Sequence, residues 1–159
     1  MKTLAITIDG IIRDIIPQLT KLYEEQIGKP KLPVDSYDLI KHFPFQGGVK
    51  ELNYFLYVEN PLEIFGHAKE QSFNVMMYIN QLSEKIKQYD CQIKLINKEL
   101  GKSKPATLFF LSKIGCQIEN IQFVPKIEQI WDDADILLDV NSFVLELKPE
   151  NKISIKFEK

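Results

Sequence analysis

Apolar positions along this chain follow two alternating rhythms. Five short stretches read as strands: TLAITID at 3–9, CQIKLIN at 91–97, IENIQFV at 118–124, ADILLDV at 134–140 and KISIKFE at 152–158. The first and fourth are near-continuous apolar runs, the pattern of parallel strands covered on both faces. The fifth alternates apolar residues with lysine and predicts an edge strand with one solvated face. Between these runs the spacing changes to three and four. Ile15, Ile16, Leu19, Leu22 and Tyr23 share one helical face, with Asp14 as the expected N-cap and Pro17 tolerated in the first turn. A second helix is predicted over 73–88, burying Phe73, Met76, Met77, Ile79, Leu82 and Ile86. A third, PATLFFLSKIG, starts at Pro105 and stops at Gly115, a proline start and a glycine cap. Strands alternating with helices imply βαβ units, hence an α/β fold with a doubly wound sheet.

Residues 29–70 break that alternation. KPKLPVDSYDLIKHFPFQGG carries three prolines and a Gly-Gly, so it reads as loop with a short helix at most. QGGV at 46–49 lacks the pattern of a phosphate loop and reads as a turn. VKELNYFLYV then predicts a helix, and NPLE a second start, with Asn60 as cap, Pro61 first and Glu63 closing a capping box. The expected organisation is therefore a core of residues 1–28 and 71–159 interrupted by a helical insertion at 29–70.

Composition narrows the class. At 45% hydrophobic and 26% charged residues, the 159-residue chain has an ordinary globular balance and room for one sizeable core. A net charge of −2 supplies no basic field, so no nucleic-acid partner is expected. The run LAITI is too short for a membrane span or a signal-peptide core, and no membrane association is expected. Cys91 and Cys116 fit no metal spacing and read as reduced thiols of an intracellular protein. His42 and His67 have no partner at ligand spacing, and Trp131 is expected to pack beside the fourth strand.

The chemistry concentrates where the first strand ends. LAITIDGIIRD at 4–14, followed by a helical insertion and four more strands, resembles the haloacid dehalogenase superfamily, and within it the small 5'(3')-deoxyribonucleotidase-like proteins of bacteria and phages. The resemblance runs through nearly the whole chain. It implies a mainly parallel five-stranded Rossmannoid sheet with helices on both faces and the 29–70 insertion as a small cap. It also implies four motifs. The first is an Asp-x-Asp pair, a nucleophile that also binds Mg²⁺ and an acid/base. Here Thr7 stands at the nucleophile position and Asp9 at the acid/base position. The second, a Ser or Thr after the next strand, is Asn97. The third, a lysine holding phosphate, is Lys104, ahead of Pro105 at a helix start. The fourth, an acidic pair holding Mg²⁺, keeps Asp139 but has Val140 beside it. Asp132, Asp133 and Asp135 precede that strand and belong to the opposite pole.

Thr7 has a neutral hydroxyl, a poor nucleophile and a weak ligand for Mg²⁺. With the nucleophile lost and the metal pair halved, the expectation is a protein that no longer turns over substrate, with no cofactor or weakly bound Mg²⁺. Two other readings stand beside it: an active Mg²⁺-dependent nucleotidase with a variant nucleophile, and a non-hydrolysing sensor holding phosphate or nucleotide on Asn97 and Lys104. The helix at 49–58 carries Leu52, Phe55 and Leu56 on one stripe and Tyr54, Tyr57 and Val58 around the other side. That is too apolar for a helix with one buried face, so a homo-oligomer or larger assembly is expected through it. The expected location is cytoplasmic, or the virion if a phage encodes it.

Overall fold

The computed structural model describes residues 1–33 and 38–158. Residues 34–37, part of the stretch expected as loop, and Lys159 lie outside the described residues. The fold is a Rossmann-like α/β arrangement with a five-stranded sheet flanked by helices. In chain order the strands are β1 (Lys2–Thr7), β2 (Cys91–Lys98), β3 (Ile121–Val124), β4 (Ile136–Asp139) and β5 (Ile153–Lys156). Their order across the sheet is β3-β2-β1-β4-β5, and every pairing is parallel. The most apolar strand, β1, is therefore the central one, as a strand covered on both faces should be.

The helices are α1 (Ile16–Ile27), α2 (Leu39–His42), α3 (Val49–Tyr54), α4 (Val75–Ile86), α5 (Ser103–Lys113) and α6 (Ser142–Glu146), with π-helical turns at Phe55–Glu59 and Leu62–Gly66. Close contacts divide the chain into two compact units. The first comprises Met1–Asp14, Glu70–Glu99 and Leu111–Lys159, and the second Ile15–Lys69 and Leu100–Phe110. The second unit thus takes in α1 and most of α5 along with the segment expected as an insertion.

Each unit has its own core. In the first, Ala5, Ile96, Val124, Leu137 and Val144 pack with Trp131, whose indole N–H donates to Val144 O at 2.8 Å. Trp131 is where the sequence predicts it, beside the strand that follows. In the second, Leu19, Leu22 and Tyr23 of α1 pack with Phe43, Leu52, Phe55, Leu56, Ile64 and Phe65. Full burial of such side chains stabilises by about 1.5–3 kcal/mol each. The Tyr23 ring meets Phe43 and Phe45 edge-on, and its hydroxyl donates to Pro44 O at 2.5 Å. Residues 46–48 form the expected turn, closed by Gly48 N–H to Phe45 O.

Several local expectations are corrected. The N-cap of α1 is Ile15, which caps with no side chain, because Arg13–Asp14 is extended. The NPLE capping box does not form. Asn60 instead exchanges hydrogen bonds with Gln26 and donates to Phe55 O, and a π-helical turn follows Pro61. Along α4 only Met76 and Ile79 are buried, while Met77 and Leu82 are exposed, and Phe73, which precedes the helix, is exposed too. Strand β5 is the expected edge, but all four of its residues are exposed, so both faces are wet rather than one. Tyr57, expected on the outer side of its helix, is half-buried and stacks on Phe65 with ring centroids 5.2 Å apart.

Candidate functional site

The site lies at the carboxyl end of the central strand, within the first unit. β1 ends at Thr7, paired with Ile96 of β2, and Ile6 pairs with Leu138 of β4. This register brings Thr7, Asp9, Asn97 and Asp139 to one edge. Lys104, in the first turn of α5, belongs to the second unit. Asp135 sits at the other end of the sheet, where its carboxylate accepts the Thr3 N–H at 2.8 Å and a hydrogen bond from Lys152 at 3.2 Å.

Beyond β1 the chain doubles back. Ile12 and Arg13 both donate their N–H groups to Ile8 O, and Gly10, at φ 92°, donates to Arg13 O at 2.9 Å. That positive φ favours glycine, the only residue that adopts it at no steric cost. The turn carries Arg13 back onto Asp9. The Arg13 side chain has no exposed surface. Its Nε donates to Asp9 Oδ1 at 2.7 Å, and its terminal nitrogen to Glu99 Oε1 at 3.3 Å. Burial by itself lowers the guanidinium's pKa. The charges and hydrogen bonds of Asp9 and Glu99 together outweigh it, and the net direction is up.

Asn97 closes the network. Its amide nitrogen donates to Asp9 Oδ2 at 2.8 Å and to Glu99 Oε1 at 3.0 Å, and its carbonyl accepts the Asp9 N–H at 3.0 Å. Both carboxylate oxygens of Asp9 are thus engaged from inside the unit, and the amide of Asn97 faces the same partners.

Asp139 is 3% exposed. Its Oδ1 accepts the N–H groups of Val140 at 2.7 Å and Asn141 at 3.2 Å. Burial, helped by the nearby Asp9 charge, raises its pKa, while hydrogen bonds from Asn141, Thr7 and Val140 oppose the rise. The Thr7 hydroxyl lies within reach of both this carboxylate and Leu138 O, the latter at 3.4 Å, and its single proton serves one of them at a time.

Arg13 and Glu99 are the site residues that the motif positions do not reveal. A signal was present. Arg13 is the single arginine among twenty Lys and Arg residues, within the run IIRDII and four positions from Asp9. A planar guanidinium suits a buried double ion pair better than an ammonium does, and a lone arginine in an apolar run marks such a place.

The remaining residues of interest lie elsewhere. His42 is buried in the second unit, and His67 is exposed, with its ring edge-on to Phe109 at 5.6 Å. Lys94 is buried in mid-strand, where Nζ reaches Gln122 Oε1 at 2.7 Å and Asp132 O at 2.9 Å. Burial lowers its pKa against the charges of Asp133 and Asp132. Among the described residues no three His, Cys, Asp or Glu side chains cluster to hold a metal ion, and no helix is long and apolar enough to cross a membrane. No protein-family model matches the chain, and no curated protein matches its sequence.

Proposed function

We propose that this chain is a haloacid dehalogenase-like, deoxyribonucleotidase-related domain that no longer turns over phosphate esters and serves in binding or assembly, in the cytoplasm or in a virion. The observation that carries this reading is the engagement of Asp9. An acid/base must be free to exchange a proton with a leaving group. Asp9 is instead tied at one oxygen to a buried guanidinium and at the other to an amide. Its partner in the resembling motif is Thr7, which offers no anionic oxygen.

The donor set does not fit Mg²⁺ either. That ion prefers hard, anionic oxygens in octahedral array. Asp139 directs one oxygen at two backbone N–H groups, and Asp9 already faces the positive charge of Arg13. A divalent cation placed between them would meet that charge at short range. The sensor reading draws less support, because the Asn97 amide is directed at Asp9 and Glu99 rather than at an incoming anion.

The test is an assay of the purified protein with Mg²⁺ against deoxynucleoside monophosphates and p-nitrophenyl phosphate. The expected outcome is no hydrolysis above the buffer blank, and little gain from Thr7→Asp alone. Turnover that Asp9→Asn abolishes would overturn the reading.

A further inference from the structure

Among the described residues, strand β5 ends the sheet and nothing pairs with its outer side. Its ladder to β4 fixes which backbone groups are used: Ile153 N–H donates to Asp135 O at 3.0 Å, and Phe157 N–H to Asp139 O at 2.8 Å. In a parallel ladder alternate residues face the same neighbour. Residues 153, 155 and 157 therefore bond inward, and the N–H and C=O groups of Ser154 and Lys156 face the open edge. Side chains alternate as well. Ile153, Ile155 and Phe157 line one face, with Ile153 56% and Ile155 46% exposed, and Lys152, Ser154, Lys156 and Glu158 line the other.

An open edge with exposed isoleucines invites another strand. Its sequence selects which one. Laid antiparallel against a second copy with Ile155 opposite Ile155, the edge sets Lys152 against Glu158 of the partner strand, Ser154 against Lys156, and Ile153 against Phe157. All outward-facing backbone groups then meet outward-facing ones. A slip of two residues one way sets Lys156 against Lys156, and the other way Lys152 against Lys156, both like-charge pairs that destabilise. Only one register joins opposite charges while keeping the apolar stripe continuous.

We propose that β5 is the seat of a two-fold homodimer, in which the edge strands of two copies pair antiparallel about an axis at Ile155. The contact is isologous, the usual form of a dimer interface, and it is independent of the reading of Asp9.

Two experiments test it. In a Cys91→Ser, Cys116→Ser background, Ile155→Cys should form a disulfide-linked dimer on mild oxidation. The paired Cα atoms would lie about 4.5 Å apart, within disulfide range. Ile153→Cys should not, because its two copies would lie about 14 Å apart. Ser154→Pro removes a donor that the monomer does not use, so it should fold normally and lose the β5 contact, which lowers the sedimenting mass in analytical ultracentrifugation and weakens that association at least about tenfold. A wild type that stays monomeric at about 100 μM, equal cross-linking at positions 153 and 155, or a dimer insensitive to Ser154→Pro but lost in Tyr54→Glu would each overturn it.

Discussion

A guanidinium with no exposed surface needs carboxylates to hold it, and Arg13→Met tests how much of the fold depends on that. The change leaves Glu99 buried and Asp9 part-buried without their cation, and breaking a buried pair from one side costs about 3–5 kcal/mol. Urea denaturation should show a loss of that order. Asp9→Asn should then cost less in the Arg13→Met background than in the wild type, because the two residues share one interaction. Additive losses would mean that the short Arg13–Asp9 contact is energetically idle. The site was half legible in sequence. Thr7, Asp9, Asn97 and Asp139 come to one sheet edge because each ends or follows a strand, and strands that run parallel bring their carboxyl ends to the same edge. What binds them to one another was not legible. The turn that returns Arg13 to Asp9 depends on Gly10 at positive φ, and a hydropathy pattern carries no trace of it. Glu99, one residue past β2, reads as an ordinary loop acid until the turn places Arg13 against it.

At the scale of elements, two glycines separate backbone strain from steric conflict. Gly115, in the turn two residues past α5, has φ 81° with open space around its missing Cβ, so Gly115→Ala should cost about 1 kcal/mol. Gly101 also has positive φ, but a Cβ there would meet Tyr57 O at 2.7 Å. That carbonyl accepts the Lys102 N–H at 2.8 Å and cannot withdraw without breaking the bond. Gly101→Ala should therefore cost more, roughly 2–4 kcal/mol in chemical denaturation. Equal losses at the two positions would show that the loop relaxes. The five strands and three main helices were readable because each is long enough for its period to repeat. Where the period changes, the reading fails. After Tyr54 the helix widens into π turns, and a 3.6-residue template misplaces Tyr57, which turns inward onto Phe65. On α4 the apolar residues recur on more than one face, so spacing alone could not choose the buried one. The helix starts only after Asn74, held at φ 59°. Phe73 thus falls before it and is 87% exposed.

At the scale of the whole molecule, two surfaces expose apolar residues: the β5 edge, with Ile153 and Ile155, and the outer side of α3, where Val49 and Tyr54 are each 55% exposed. Leu52, Phe55 and Leu56 form the buried stripe expected of them, leaving these two residues apolar and uncovered. Tyrosine is a favoured contact residue because its ring buries apolar area while its hydroxyl stays hydrogen-bonded. Tyr57 belongs to the core of its unit, so a charge there would unfold rather than dissociate, and the informative variant is Tyr54→Glu alone. The two surfaces lie in different units and do not compete for residues. If each forms a two-fold contact, one chain carries two isologous interfaces, and such a chain builds tetramers or open-ended arrays rather than stopping at dimers. Sedimentation should then show wild type larger than a dimer. Tyr54→Glu should leave dimers joined at β5, Ser154→Pro should leave dimers joined at α3, and the double variant should be monomeric and folded. A Tyr54→Glu protein that sediments as the wild type does would remove α3 as a contact and leave the assembly to the sheet edge alone.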